Sequence, residues 1–398
     1  MMQQGFFSKN RSTLLAANNT ELYIFSGNVS VQRSNDASYA FEQEANFWYL
    51  TGISAAGWKL VIEKDECTLI APDVDEVHRI FDGSLSNEKA KEISRVDRVL
   101  NYSDGEAYLK GLNDRYKKVG TLGADPHADH YDFSLNPGPL RLHEKLAEQF
   151  SEVIDCRKPL AKQRAIKQPE EIQNIRDAIA LTIEGFEKVK LNIDQYTAEY
   201  EIEADFSYHF RRNGADGHAY DPIVAAGKNA CTLHYGKNRD ALEKGVFVLL
   251  DIGARYKGYA ADITRTYAFG EVSDRYRSVH AAVENAHEEI IALLKPGLLT
   301  KEYLESVDEI MKKALDGLGL LSSPSDYRKY FPHAVSHGLG IDVHDSLGGA
   351  EKLLPGMVLT VEPGIYIPEE GIGVRIEDDI LITESGNENL SAALSTSL

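Results

Sequence analysis

Four acidic residues of this chain lie inside or at the end of segments that are otherwise apolar. Asp251 follows five consecutive apolar residues, and Asp262 lies on the next predicted strand. Glu362 ends the segment MVLTVE, and Glu377 lies within IGVRIEDDILI. Burying a carboxylate is costly unless it is paired with a cation or bound to a metal. Asp251 and Asp262 could instead be polar turn residues, and Glu377 could form an ion pair with Arg375.

A second candidate for chemistry is the histidine-rich segment FPHAVSHGLGIDVHD at 331–345. His333, His337 and His344 fall within twelve residues of one another, with glycines close by. Histidine changes its charge near neutral pH and is the most common metal ligand among side chains. The segment therefore favours metal or proton chemistry, although a solvated loop could have the same composition.

The four acids require cations if the fold brings them together. Two carboxylates about 4 Å apart repel by about 4 kcal/mol at an effective dielectric of about 20. Two divalent ions would balance four carboxylates, and one imidazole could complete the ligand set. Oxygen-rich ligation with one nitrogen suits Mn²⁺, Co²⁺, Fe²⁺ or Zn²⁺. Two such ions about 3.5–4 Å apart can activate a water and polarise a carbonyl, which is the arrangement of two-metal hydrolases.

Two domains are predicted to hold these residues. In 1–158, short strands alternate with helical stretches, which is typical of an α/β domain. A basic, proline-punctuated stretch follows, and Pro169 with two acids then marks a helix start. In 159–398, long amphipathic helices alternate with strand-like segments. We therefore predict an α+β domain there, with long helices against a mostly antiparallel sheet.

Composition narrows the class of protein. The chain has 398 residues, with 43 Lys and Arg against 62 Asp and Glu, which gives a net charge of −19. This balance argues against nucleic-acid binding and against docking on an anionic membrane. Three widely spaced cysteines give no disulfide framework, and the longest apolar runs are far shorter than the roughly 20 residues of a membrane span. We therefore expect a cytoplasmic protein.

The order of these motifs resembles that of a known family. Two aspartates separated by ten residues, then SHGLGIDVHD, VEPGIYI and RIEDD, resemble the metallopeptidases of the pita-bread fold. That family includes methionine aminopeptidase, Xaa-Pro aminopeptidase and Xaa-Pro dipeptidase. The segment FEQEANFWYLTG resembles the N-terminal domain of the Xaa-Pro aminopeptidases. The resemblance implies a pita-bread domain at 159–398, preceded by a smaller creatinase/aminopeptidase-P-like α/β domain at 1–158.

The resemblance also implies a role for each candidate residue. Five residues would bind the two metal ions, namely Asp251, Asp262, His337, Glu362 and Glu377. Glu362 would also act as the general base. His234 and His344 would be catalytic residues that stabilise the transition state or move protons. His333 would line the proline pocket, while Arg375 and Tyr366 would orient the substrate or the ligands.

The implied activity is hydrolysis of the bond before proline in peptides with proline in second position. Manganese is the expected metal, with cobalt, iron and zinc as alternatives. We also expect a homodimer. Two other functions stay open, which are an Xaa-Pro dipeptidase acting on dipeptides and a non-enzymatic binding protein of the same fold.

Overall fold

Two compact units make up the protein. The computed structural model describes residues 2, 5–17, 20–123, 132–323 and 325–398. The units are Met2–Gln163 and Arg164–Leu398. The sequence places the boundary a few residues earlier, after residue 158. Each unit has its own sheets and its own cluster of buried apolar side chains.

The N-terminal unit is built on a mixed sheet. Its described strands are β1 (Leu22–Ser26), β2 (Gln32–Ser34), β3 (Ala37–Ser38), β4 (Lys59–Glu63), β5 (Cys67–Ile70), β6 (Arg98–Leu100), β7 (Lys118–Thr121) and β8 (Glu152–Asp155). The main sheet has the order β6-β5-β4-β1-β7-β8, and β2 pairs with β3. Strands β1, β4 and β5 are antiparallel, whereas β6, β7 and β8 join in parallel. Strand β1 is buried along its whole length.

Helices precede, connect and follow these strands, in the alternation that the sequence pattern predicts. They are α1 (Phe6–Ala17), α2 (Ala45–Thr51), α3 (Glu76–Asp82), α4 (Asn87–Ser94), α5 (Tyr102–Arg115), α6 (Pro137–Gln149) and α7 (Arg157–Ala165). Polar caps start several of them. Asn101 and Asn136, for example, each accept a hydrogen bond from the first turn of the following helix, which satisfies a backbone donor that lacks a helical partner. Mixed pairing with intervening helices is the predicted α/β architecture.

Long helices dominate the C-terminal unit. They are α8 (Pro169–Leu191), α9 (Glu199–Arg212), α10 (Asp274–Leu293), α11 (Thr300–Gly317) and the short α12 (Asp326–Tyr330), with 3₁₀ turns at Ile193–Gln195 and Gly227–Cys231. Helix α8 begins at Pro169, as predicted. The Glu171 carboxylate accepts a hydrogen bond from the backbone N–H of Gln168 at 2.9 Å. A side chain from the first turn of the helix thus satisfies the backbone donor at its start.

The described strands of the C-terminal unit pair antiparallel throughout. They are β9 (Gly217–His218), β10 (Ile223–Ala226), β11 (Val246–Ile252), β12 (Ala254–Tyr256), β13 (Tyr259–Ala260), β14 (Ile263–Phe269), β15 (Val358–Val361), β16 (Gly364–Ile367), β17 (Ile372–Arg375), β18 (Asp378–Ile382) and β19 (Asn387–Asn389). The groups are β10-β11-β14, β13-β12-β9, β15-β18-β19 and β16-β17. This agrees with the predicted α+β class.

The hairpin of β11 and β14 fixes the distance between the two aspartates. Asp251 faces Thr264 across the ladder, so Asp262 lies just beyond the paired part of the opposite strand. Gly253 permits this close approach, because a Cβ at that position would lie only 1.7 Å from the carbonyl oxygen of Ala261. At the tip, Lys257 and Gly258 both have positive φ, as a two-residue type I′ turn requires.

Apolar faces of helices α10 and α11 pack on the strands that carry the other acids. Val283 and Ile290 of α10 and Met311 of α11 are fully buried in one cluster with Val361 and Ile380 of the sheet. Burying each such side chain contributes roughly 1.5–3 kcal/mol. The strands next to Glu362 and Glu377 therefore pack on a layer of helices.

Candidate metal centre

Asp251 and Asp262 meet at a single hydroxyl group. The Tyr220 hydroxyl lies 2.6 Å from Asp251 Oδ1 and 2.6 Å from Asp262 Oδ1. A phenol has one proton, so it donates to only one of the two carboxylates at a time. The hairpin register and Tyr220 together hold both acids at one point.

Glu377 joins them from the turn between β17 and β18. Its backbone N–H donates to the carbonyl of Thr264 at 3.0 Å, and the Thr264 hydroxyl donates to Glu377 Oε2 at 2.7 Å. One residue of the hairpin thus fixes both the backbone and the side chain of Glu377. As a result, one ligand atom each from Asp262, His337 and Glu377 lies within 4.8 Å of the others.

His337 and Glu362 are brought together by backbone pairing along β15. Thr360 N–H donates to the carbonyl of His337 at 2.9 Å, and Glu362 N–H donates to that of Val335 at 2.9 Å. Both side chains then turn toward the aspartates. His337 Nε2 lies 3.4 Å from Asp262 Oδ2 and 3.4 Å from Glu362 Oε1.

The imidazole of His337 is oriented as a metal ligand would be. Its Nδ1 lies 3.0 Å from the carbonyl oxygen of Gly338, an acceptor, so Nδ1 carries the proton. Nε2 therefore faces the carboxylates with its lone pair when the ring is neutral. A backbone carbonyl that fixes the tautomer in this way is a regular feature of metal-binding histidines.

Burial makes this cluster unfavourable in its ionised form without a cation. Burial raises the pKa of Glu362 to about 7, and burial together with the neighbouring Asp262 and Glu362 raises that of Glu377 well above its usual value. Burial likewise raises the pKa of Asp262. Although burial lowers the pKa of His337, the facing Asp262 and Glu362 raise it to about 9. The donor set fits divalent cations, which would replace the protons that the carboxylates otherwise take up.

Arg375 contacts a different acid from the one considered in the sequence. Its guanidinium donates to Asp251 Oδ2 at 2.5 Å, to Tyr366 Oη at 2.8 Å and to Thr264 Oγ1 at 3.2 Å. The hypothesis of an Arg375–Glu377 ion pair is therefore wrong, because the fold brings Asp251, which is distant in sequence, next to the buried guanidinium. Arg375 fixes one oxygen of Asp251 while Tyr220 contacts the other.

Three further histidines lie near the cluster and differ in burial and in the residues that they contact. His333 Nε2 lies 2.9 Å from the Tyr366 hydroxyl, and burial with the nearby Arg375 lowers the pKa of His333 to about 4, so its ring stays neutral. The ring of His344 lies 4.1 Å from that of His337. His234 is exposed, and its charge is among the influences that lower the pKa of His333. Every residue proposed from the sequence thus lies in or beside one site.

Comparison with known proteins agrees with this geometry. Residues 173–384 match the family model of metallopeptidase family M24, and residues 7–120 match that of the aminopeptidase P N-terminal domain.

The chain belongs to metallopeptidase family M24.

Full-length relatives share both domains of this M24 protein. An Xaa-Pro aminopeptidase of Haemophilus influenzae is 35% identical over 94% of this chain and 91% of its own. Aminopeptidase P of E. coli with the inhibitor Pro-Leu has a TM-score of 0.87 at 32% identity, over 100% of this chain and 96% of its own. A zinc-substituted form of the E. coli enzyme with product gives 0.86 at 32% identity, with the same coverage. The predicted family and fold class are confirmed.

Two residues of the M24 site have no counterpart among the sequence-based candidates. Thr264 could have been found, because residues 262 and 264 alternate onto the same face of a strand. Tyr220 gives no such signal, since it lies in an irregular stretch far from Asp251 in sequence.

In the described part of the M24 chain, no helix is both long enough and apolar enough to cross a membrane.

Proposed function

We propose that this protein is a metal-dependent Xaa-Pro aminopeptidase, which removes the N-terminal residue from peptides with proline in second position. The observation that carries the proposal is the convergence of four carboxylates and the oriented His337 on one point of an M24 domain. The N-terminal domain match and the named relatives support the proline-specific branch.

The ligand set that we propose is Asp251, Asp262, His337, Glu362 and Glu377. It has enough negative charge for two divalent ions, and manganese is our first choice over cobalt, iron or zinc. When bound, such ions supply a Lewis acid for the scissile carbonyl and lower the pKa of a water. Arg375 and Thr264 hold the carboxylates in place for them.

Glu362 is our candidate for the general base. The exposed fraction of its side chain is 15%, compared with 11% for Asp251 and 7% for Asp262, so it is the carboxylate of these three most open to an entering water. Its Oε1 lies near His337 and its Oε2 lies 3.5 Å from His333 Nδ1. Glu362 would take the proton of the attacking water and pass it to the proline nitrogen as that leaves.

The neighbouring histidines would act on the substrate. His344 and His234 are exposed beside the cluster, where an imidazole N–H can donate to the oxygen that gains charge in the transition state. Such a donor often contributes about 2.7–4 kcal/mol. Neutral His333, between Phe331 and Tyr366, offers a flat apolar surface for the rigid proline ring.

Metal dependence and substrate length together test the proposal. After treatment with a chelator and desalting, the protein should not cleave an Xaa-Pro-Xaa tripeptide, and Mn²⁺ should restore cleavage. The same tripeptide with alanine in place of proline serves as the control and should be cleaved far more slowly. Product analysis by liquid chromatography gives the rates.

The other outcomes identify the alternatives. Cleavage of an Xaa-Pro dipeptide without cleavage of the tripeptide would make the protein an Xaa-Pro dipeptidase. No cleavage of any peptide with any of the four metals would favour a binding protein of the same fold.

A homodimer in the cytoplasm is a further part of this proposal. The family's N-terminal domain is the expected site of dimer contacts, and the three cysteines are free thiols, as a reducing compartment requires. Light scattering coupled to gel filtration should give about twice the mass of the chain. A monomer at every concentration would contradict the dimer.

A further inference from the structure

Arg265 is a fully buried arginine that uses every hydrogen-bond donor it has. Its residue is 0% exposed. Nε donates to Ser395 O at 3.1 Å. Nη1 donates to Thr264 O at 2.9 Å and to Glu377 O at 2.7 Å, while Nη2 donates to Asp378 Oδ1 at 2.7 Å and to Leu394 O at 2.8 Å. A guanidinium has five N–H groups, so none is left over.

These acceptors lie in three stretches of the chain, at Thr264, at Glu377 and Asp378, and at Leu394 and Ser395. Glu377 and Thr264 form part of the candidate metal centre, and the Thr264 hydroxyl itself binds the Glu377 side chain. Leu394 and Ser395 lie in the C-terminal segment, which we define as residues 389–395. The buried Arg265 guanidinium thus links the backbone carbonyl of Glu377 to the C-terminal segment.

The C-terminal segment also contacts the two residues that follow Glu377. Asn389 Nδ2 donates to Asp378 Oδ2 at 2.6 Å. Asp379 N–H donates to Ser391 Oγ at 3.1 Å. Asp379 in turn accepts a hydrogen bond from the backbone N–H of Asp262 at 3.1 Å. Through these bonds the segment is linked to a second candidate metal ligand.

Arg265 cannot reach the metal cluster itself. Side chains alternate along a strand, and its neighbours Thr264 and Thr266 point toward Glu377 and Arg375. Arg265 therefore points away from the site and acts on it only through the backbone. Since a buried charge is costly even when paired, a position of this kind is not explained by packing alone.

We propose that Arg265 and the C-terminal segment form a positioning unit that sets the metal affinity of the site. The inference rests on the proposed metal-dependent function. Arg265 holds the carbonyl of Glu377, so that the Glu377 and Asp262 carboxylates are fixed before a metal arrives. Loss of a residue that holds a metal ligand in place without itself binding the metal usually lowers metal affinity by about 10–100-fold.

The test is Mn²⁺ binding to the metal-free full chain, measured by isothermal titration calorimetry. Arg265→Lys keeps the charge but cannot reproduce the five-donor fork, and it should weaken Mn²⁺ binding by about 10–100-fold. The visible spectrum of the Co²⁺-loaded variant should also change, because the ligand geometry differs. The matched control is Arg11→Lys, which alters a buried arginine of the N-terminal unit that also donates to backbone carbonyls.

A truncation provides a second arm that does not depend on the arginine. Deleting residues 393–398 removes the carbonyls of Leu394 and Ser395 and should weaken Mn²⁺ binding as Arg265→Lys does. Deleting only residues 397–398 keeps both acceptors and should leave binding unchanged.

Three outcomes separate this inference from the proposed function. Unchanged Mn²⁺ affinity and Co²⁺ spectrum in folded Arg265→Lys would overturn the positioning unit. An equal loss of affinity in Arg11→Lys would overturn it too, because the effect would then be one of general stability. Failure of the wild-type chain to bind Mn²⁺ would instead contradict the metal-dependent function.

Discussion

Replacing Glu362 with glutamine is expected to lower kcat for an Xaa-Pro-Xaa tripeptide by about 10²–10⁴-fold, the usual contribution of a positioned general base. Glutamine has nearly the same shape as glutamate and keeps one carbonyl oxygen, but it cannot take a proton from water. The loss should therefore appear in kcat, with little change in KM. Steady-state kinetics at saturating Mn²⁺ measures both.

The matched control for Glu362→Gln is Glu370→Gln. Glu370 pairs with Arg275 on the surface and lies in the turn between β16 and β17, away from the metal cluster. Its loss should leave kcat unchanged. If Glu362→Gln binds metal and keeps full turnover, another group must act as the base, and His344 is the next candidate.

Replacing Asp345 with asparagine is expected to destabilise the C-terminal unit by about 3–5 kcal/mol, the usual cost of removing one partner of a buried ion pair. Asp345 lies 3.0 Å from Arg164 Nη2 and 3.4 Å from Lys167 Nζ, and all three side chains are buried. Asparagine would remove the buried negative charge that faces both Arg164 and Lys167, whereas the Asp342 carboxylate that also contacts Arg164 is half exposed. Urea unfolding followed by circular dichroism measures the free energy of unfolding. Tryptophan fluorescence would not report on the C-terminal unit, because Trp48 and Trp58 both lie in the N-terminal unit.

Asp342→Asn is the control for Asp345→Asn. Asp342 lies 2.7 Å from the same Arg164 nitrogen, but its side chain is 51% exposed. Its loss should cost only about 0–1 kcal/mol, as is usual for an exposed ion pair. Equal effects of the two substitutions would show that burial does not decide the strength of this pair.

The pH dependence of the Asp345 effect has a definite sign. Burial alone would raise the pKa of Asp345, but Arg164 and Lys167 lower it below its usual value. A carboxyl with a lowered native pKa stabilises the fold above its unfolded pKa of about 3.9 and loses that contribution as the pH falls through the native value. The difference between wild type and Asp345→Asn should therefore be largest near neutral pH and shrink in acid.

We expect Asp345 also to affect His337 and His344, the proposed metal ligand and the proposed catalytic histidine, through the loop that it anchors. Its N–H donates to the carbonyl of Gly338 at 2.8 Å, which closes the loop between His337 and His344. Arg164 and Lys167 hold this loop from the start of the C-terminal unit. In the folded fraction of Asp345→Asn we therefore also expect slower turnover.

Sequence alone identified the candidate metal ligands and the apolar segments in which they lie. Carboxylates in otherwise apolar strands are costly, so Asp251, Asp262, Glu362 and Glu377 stood out without any structure. Helix starts such as Pro169 were also readable, because caps and first-turn acids act locally. The family followed from the order of these motifs, which spans most of the C-terminal unit.

Only the tertiary structure decided which groups hold those ligands. Tyr220 meets Asp251, Arg375 pairs with Asp251 instead of Glu377, and Arg265 joins Glu377 to the C-terminal segment. Each of these contacts joins residues far apart in sequence. Local patterns give the face of a strand or helix on which a residue lies, but not which distant face it meets, because that depends on how the strands and helices pack.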